Sequence, residues 1–196
     1  VSAGSSNYRR GIRAATRGLW NAAFTYDQFY DAMMMVVRQG ITAAWHEGAA
    51  ECGIMPSELT PEEKTAMQQA MYSEYNHVND FARTIEAGSK AHGGKMGTLM
   101  QRAELWINRY LDVTNRARVM ACADQKLMWV LGPTKDHCID CSRLNGKTKR
   151  ASQWERAGIR PQSPALACGG WRCLCSLVVT DEPLSKGPLP RLAGPG

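Results

Sequence analysis

The sequence predicts an α+β fold, mostly α, in which a bundle-like helical region over residues 1–124 precedes a small β-containing module over 125–181. Three observations predict it. Long segments of the first half repeat apolar residues every three or four positions, the period of one helix face. Near Gln125 this period gives way to short apolar runs separated by Gly, Pro and an Asn-Gly pair. Five of the seven cysteines then crowd into the 38 positions from Cys138 to Cys175.

The helices can be taken in order. From Leu19 to Cys52 the residues Phe29, Met33, Val36, Val37, Ile41, Ala44, Trp45 and Cys52 draw one apolar stripe, with Gly53 as a stop. Gly40 lies within this span and makes a break there conceivable, since Gly costs about 1 kcal/mol relative to Ala in a helix. A second helix opens at Thr60, with Pro61 at its first position and Glu63 completing a capping box. Its stripe runs through Met67, Ala70, Met71, Tyr75, Val78, Phe81, Ala82 and Ile85 to a stop at Gly88. After the Gly-rich connector 88–97, a third helix carries Leu99, Ala103, Trp106, Tyr110, Val113, Ala117 and Met120. Three amphipathic helices of this length must bury their faces, most simply against each other.

In the module, Lys126 to Leu131 reads as a strand or the end of the third helix, and Asn145-Gly146 as a turn leading to a strand over 147–150. Ser152 to Gly158 reads as a short helix with Ser152 and Glu155 as its capping box, and Leu177 to Thr180 as another strand. The Pro/Gly-rich segment 182–196 contains little that could order it alone and reads as a tail or linker.

Hydrophobic content of 44% with 21% charged residues is enough for a buried core and argues against a disordered chain. No apolar run approaches the roughly 20 residues needed to cross a bilayer, and the Arg-rich start lacks the apolar core of a secretory signal. The net charge of +6 is uneven. Residues 1–20 hold Arg9, Arg10, Arg13 and Arg17 and no acid; residues 21–134 hold 10 basic and 13 acidic side chains; the remainder holds 10 and 5. Basic ends of this kind suit an anionic partner, nucleic acid or an acidic protein surface, although they can equally be solvated faces.

An odd cysteine count without an export signal reads as metal binding in a reducing compartment, with Cys52 and Cys122 as separate buried thiols on helices. The C-x-x-C of Cys138 and Cys141, followed after 26 residues by Cys168, Cys173 and Cys175, has the layout of zinc knuckles and ribbons. Zinc takes four ligands, so one of the five is expected to be spare: Cys138, Cys141 and Cys168 with either Cys173 or Cys175. Four thiolates leave no position for water, which is the structural type of site. A redox pair would open a helix after a strand in a βαβ setting, which is not predicted here. Haem attachment needs a His after the pair, where Ser142 stands, and the adjacent His46-Glu47 do not make a deaminase H-x-E. Asp136, His137 and Asp140 flank the pair and are expected to support it rather than do chemistry. No phosphate-binding loop or nucleophile motif marks the chain as an enzyme.

The stretch from about Trp129 to Thr180 resembles the phage head morphogenesis family, the minor head proteins of the Mu F-like type. The residues that carry the resemblance are Cys138 and Cys141, Leu144 and Gly146, Trp154, Pro161 and Pro164, then Cys168, Arg172, Cys173 and Cys175. The family often has a His-Pro before its last cysteines, where this chain has Cys168-Gly169-Gly170, so a zinc-competent group is kept. The resemblance implies a low-copy structural component of a tailed-phage virion, assembled in the host cytoplasm and held near the portal vertex or inner head. Its implied partners are portal or capsid proteins, with packaged DNA as a further contact through the basic segments. Two other readings start from the residues alone: a zinc-dependent nucleic-acid-binding module, and a nuclease or toxin-like enzyme on a head-protein scaffold.

Overall fold

A computed structural model describes residues 2–122, 125–170 and 173–195. It is mostly helical, with one small antiparallel sheet in the C-terminal region, as an α+β chain dominated by α should be. The elements are α1 (Ala3–Trp20), α2 (Tyr26–Ala50), α3 (Pro61–Tyr75), α4 (Val78–Ala87), α5 (Met96–Ala121), β1 (Lys126–Val130), α6 (Ile139–Leu144), β2 (Thr148–Arg150), α7 (Ala151–Ala157) and β3 (Ser176–Val179).

Two compact units emerge, Val1–Ala44 with Thr65–Tyr110, and Trp45–Lys64 with Leu111–Gly196. Both α2 and α5 therefore contribute to each unit. A division at residue 124 follows the change in local pattern, whereas the compact units cut through these two long helices.

In the first unit α1 was not foreseen, because its arginines mask a helical period. Ser2 caps it, its hydroxyl accepting the Ser5 N–H at 3.1 Å. Tyr8, Ile12, Ala15 and Leu19 form its buried face. The helix expected from Leu19 onward instead ends at Trp20 and restarts at Tyr26. The restart is a Thr-x-x-Gln capping box: Gln28 N–H donates to Thr25 Oγ1 and Thr25 N–H to Gln28 Oε1. α2 then runs through Gly40 unbroken.

The helix expected from Thr60 to Gly88 is likewise two. Its capping box forms as the sequence indicates, Thr60 and Glu63 exchanging bonds of 2.8 and 3.1 Å. At Asn76-His77, both weak helix formers, the His77 N–H reaches only to the Glu74 carbonyl and tightens the turn. α4 starts afresh with Val78, Phe81, Ala82 and Ile85 inward. Phe81 is the centre of this core, with its ring centroid 6.2 Å from that of Phe29 and 5.8 Å from that of Trp106.

In the second unit the sheet order is β2-β1-β3, antiparallel throughout, with Leu127 opposite Lys149 and Trp129 opposite Leu177. Leu127 and Trp129 face the core, where Trp129 and Trp154 lie 5.8 Å apart and the Trp154 indole donates to the Leu127 carbonyl at 3.0 Å. α7 has Gln153 bonded back to the Arg150 N–H, so its cap falls two residues before the Ser152 expected from sequence. Gly158 ends it in the left-handed region.

Segment 182–195 is not left to itself. Ser185 exchanges hydrogen bonds with Thr148 along the outer edge of β2, its Oγ accepting the Thr148 N–H at 3.0 Å. Lys149 Nζ donates to the carbonyls of Ser185 and Gly187, and Leu189 and Leu192 pack on the core. The outer edge of β3 is met by α5, where Asn115 Oδ1 accepts the Leu177 N–H at 3.0 Å and Arg118 donates to the Leu177 carbonyl.

Cys52 and Cys122, expected as separate thiols, are joined as a disulfide with Cα atoms 5.3 Å apart. Close backbone approach brings them together. A Cβ on Gly48 would lie 2.3 Å from the Thr114 carbonyl oxygen, so only glycine lets α2 and α5 touch here, just before the two cysteines.

Candidate metal centre

The five remaining cysteines are free thiols, and three of them, Cys141, Cys173 and Cys175, are buried. Cys138 caps α6, and its Sγ accepts the Cys141 N–H at 3.4 Å, which places both sulfurs on one side of a single tight turn. The pair does open a short helix after a strand. The sheet beneath it is antiparallel, however, so no βαβ unit of the redox type exists among the described residues.

The sulfurs converge in two sets of three, Cys138, Cys141 and Cys168 in one, Cys141, Cys173 and Cys175 in the other. Within each set all sulfurs lie within 4.8 Å of one another. Cys141 belongs to both, and its Sγ is 3.7 Å from that of Cys173. Zinc–sulfur bonds of about 2.3 Å in a tetrahedron put neighbouring sulfurs about 3.8 Å apart, so this edge already has ligand spacing. The cluster could hold a metal ion. Arg172 of the C-R-C lies outside the described residues.

Protonation follows from the surroundings. Contact with the Cys141 and Cys173 sulfurs, with the N–H groups of Gly132 and Trp129 behind them, pulls the Cys175 thiol down to about 3. The sulfurs of Cys173 and Cys175, then burial, push the Cys141 thiol well above its usual range. Burial raises Cys168 to about 12. Burial acts the same way on Cys138 but is outweighed by hydrogen bonds from Cys141 and Cys168, so its thiol is lowered. The Cys141 contact lowers Cys173, yet the Cys175 sulfur and burial together raise it. Adjacent sulfurs therefore share protons, and a cation in their midst would take the place of those protons.

Two polar residues hold the pieces in register. Asp140, between the C-x-x-C cysteines, is almost fully buried and accepts the N–H of Ala167 and of Ala193, both at 2.8 Å. One carboxylate thereby ties α6 to the Cys168 loop and to the C-terminal segment. Gln162 does the same for the last cysteines. Its side-chain amide donates to the carbonyls of Cys173 at 2.8 Å and Cys175 at 2.7 Å, and its Oε1 accepts from Asn115 at 2.7 Å. Asn115 also binds Arg118, which pairs with Glu51, so the relay continues into the helices of this unit. Gly132 completes the support, since a Cβ there would meet the Leu174 carbonyl oxygen at 2.3 Å. Sequence reading expected Asp140 to support the pair, as its bonds do, and missed Gln162; the latter's one trace is a polar residue in a Pro-containing loop. His137 bonds Thr134 at 3.3 Å and stands outside both sulfur sets.

No family model matches this chain, nor does any curated protein or solved structure.

Proposed function

We propose that this chain is a minor structural protein of a tailed-phage virion, held near the portal or inner head, in which zinc on the cysteine cluster serves the fold rather than a reaction. The observation that carries the reading is the role of the residues in the Mu F-like resemblance. They are the ones that hold the second unit together: Cys138 and Cys141 at the turn into α6, Leu144 and Trp154 buried beneath it, Gly146 in a left-handed turn, and Cys168, Cys173 and Cys175 closing on Cys141. A protein that docks in a large assembly needs a rigid surface, and a thiolate-bound zinc makes one from a segment with only 12 residues in strands.

Partners are portal or capsid proteins, with packaged DNA touched through α1. Arg13 on that helix is compensated by Glu104, whereas Arg10 and Arg17 are exposed on its outer face. Co-purification with portal complexes, and density for the chain inside the head or at the neck in cryo-EM of the particle, test the reading; absence from the particle would end it. Zinc is tested by elemental analysis and chelation, which should expose the Trp129 and Trp154 indoles to water.

A further inference from the structure

The cluster has five sulfurs, and a single tetrahedral ion uses four. A spare thiol should stand out by lacking the N–H donors that dress a metal-bound thiolate. None does. The Cys138 sulfur accepts the Cys141 N–H at 3.4 Å, and the N–H groups of Cys168 and Gly170 favour charge on the Cys138 and Cys168 sulfurs respectively. The backbone N–H groups of Gln162 and Cys175 favour charge on the Cys173 sulfur, and that of Gly132 on the Cys175 sulfur. Cys141 differs, because its close neighbours are the other sulfurs, Cys173 and Cys175 on one side and Cys138 on the other.

Among the described residues no four sulfurs lie within 4.8 Å of one another, while two sets of three do, hinged at Cys141. We propose that the centre holds two thiophilic divalent ions, one per set, bridged by the Cys141 thiolate. Each ion takes three sulfurs from the chain, Cys141 counting for both. Five thiols release their protons to solvent as the ions enter, and two divalent cations offset most of the resulting negative charge, which one cation would leave far less balanced. The proposal rests on the reading that metal staples this module, and it adds the number of ions and the role of Cys141.

The test uses the full chain with the Cys52–Cys122 bond intact, stripped of metal and titrated with Cd(II) under native mass spectrometry. Saturation at two ions is expected, with two cadmium NMR resonances coupled through the shared sulfur. Cys138→Ser/Cys168→Ser and Cys173→Ser/Cys175→Ser should each retain one ion with unchanged helical circular dichroism. Cys141→Ser should lose the coupling, but since that variant risks misfolding, the paired variants carry the decision. Saturation at one ion in the unaltered chain would overturn the bridged pair and leave a single-ion staple standing. No binding at all would overturn both.

Discussion

Replacing Gln162 by Leu keeps the side chain's bulk and removes its polar end. The Cys173 and Cys175 carbonyls then lose the donors they have at 2.8 and 2.7 Å, and the Asn115 amide loses its 2.7 Å acceptor. Gln162 is 5% exposed, so water cannot fill in for it. At about 1 kcal/mol for each group left unsatisfied, the substitution should destabilise the chain by about 3 kcal/mol. For a domain of this size that is a fall in Tm of roughly 6–12 °C. Because the bonds go to the backbone of two candidate ligands, metal affinity should also fall, by about 10- to 100-fold. Gln162→Gly separates the two contributions: Gln162 sits at a φ of 60°, where glycine is unstrained, so it loses the same bonds while recovering about 1 kcal/mol of backbone strain. Thermal melts of metal-loaded and metal-free chain, with a chelator competition for affinity, measure both effects. A Leu variant within about 0.5 kcal/mol of the parent, binding metal equally well, would refute the idea that this amide organises the last cysteines.

Asp140→Asn retains one acceptor and turns an amino group on the second N–H, so a loss of about 2 kcal/mol is expected, with hydrogen exchange rising at Ala167 and Ala193 together. Breaking the Cys52–Cys122 bond opens a loop of 70 residues, for which the chain-entropy estimate is about 4 kcal/mol. Alkylation of the unreduced, unfolded chain followed by mass measurement should mark five cysteines, and seven would refute the bond. In metal-free chain Cys168 titrates at about 12 against an ordinary 9.0. A raised folded value means its stabilisation is complete below pH 9 and lost as the pH rises toward 12. The stability gap between the parent and Cys168→Ser should therefore be flat below pH 9 and change above it; a gap that changes only in acid would contradict the raised thiol.

What could be read from sequence was what local chemistry decides. The Thr60–Glu63 box, the strand at Lys126–Val130 and the turn at Asn145-Gly146 all formed, because each depends on residues a few positions apart. The five cysteines announced themselves by crowding. The misses came from longer range or from masking. Tyr8, Ile12 and Leu19 carry a helix whose four arginines draw the eye to charge and away from its apolar period. The Asn76-His77 turn hides inside a continuous apolar stripe, since a helix can change phase without losing its period. Cys52 and Cys122 stand 70 residues apart and meet only because Gly48 admits a neighbouring backbone. Gln162 acts through a side chain pointed at carbonyls, and nothing in a one-dimensional string records direction.

The bonds along the two flanks of the small sheet have a consequence at high protein concentration. A bare strand flank invites pairing with a copy of itself, which at high local concentration leads to fibres rather than ordered particles. Here Ser185 occupies one flank and Asn115 with Arg118 the other. With the Thr148 and Leu177 backbone groups already taken, contact between copies is turned toward side-chain surfaces, whose shape and charge choose their partners, and away from backbone pairing, which accepts almost any sequence.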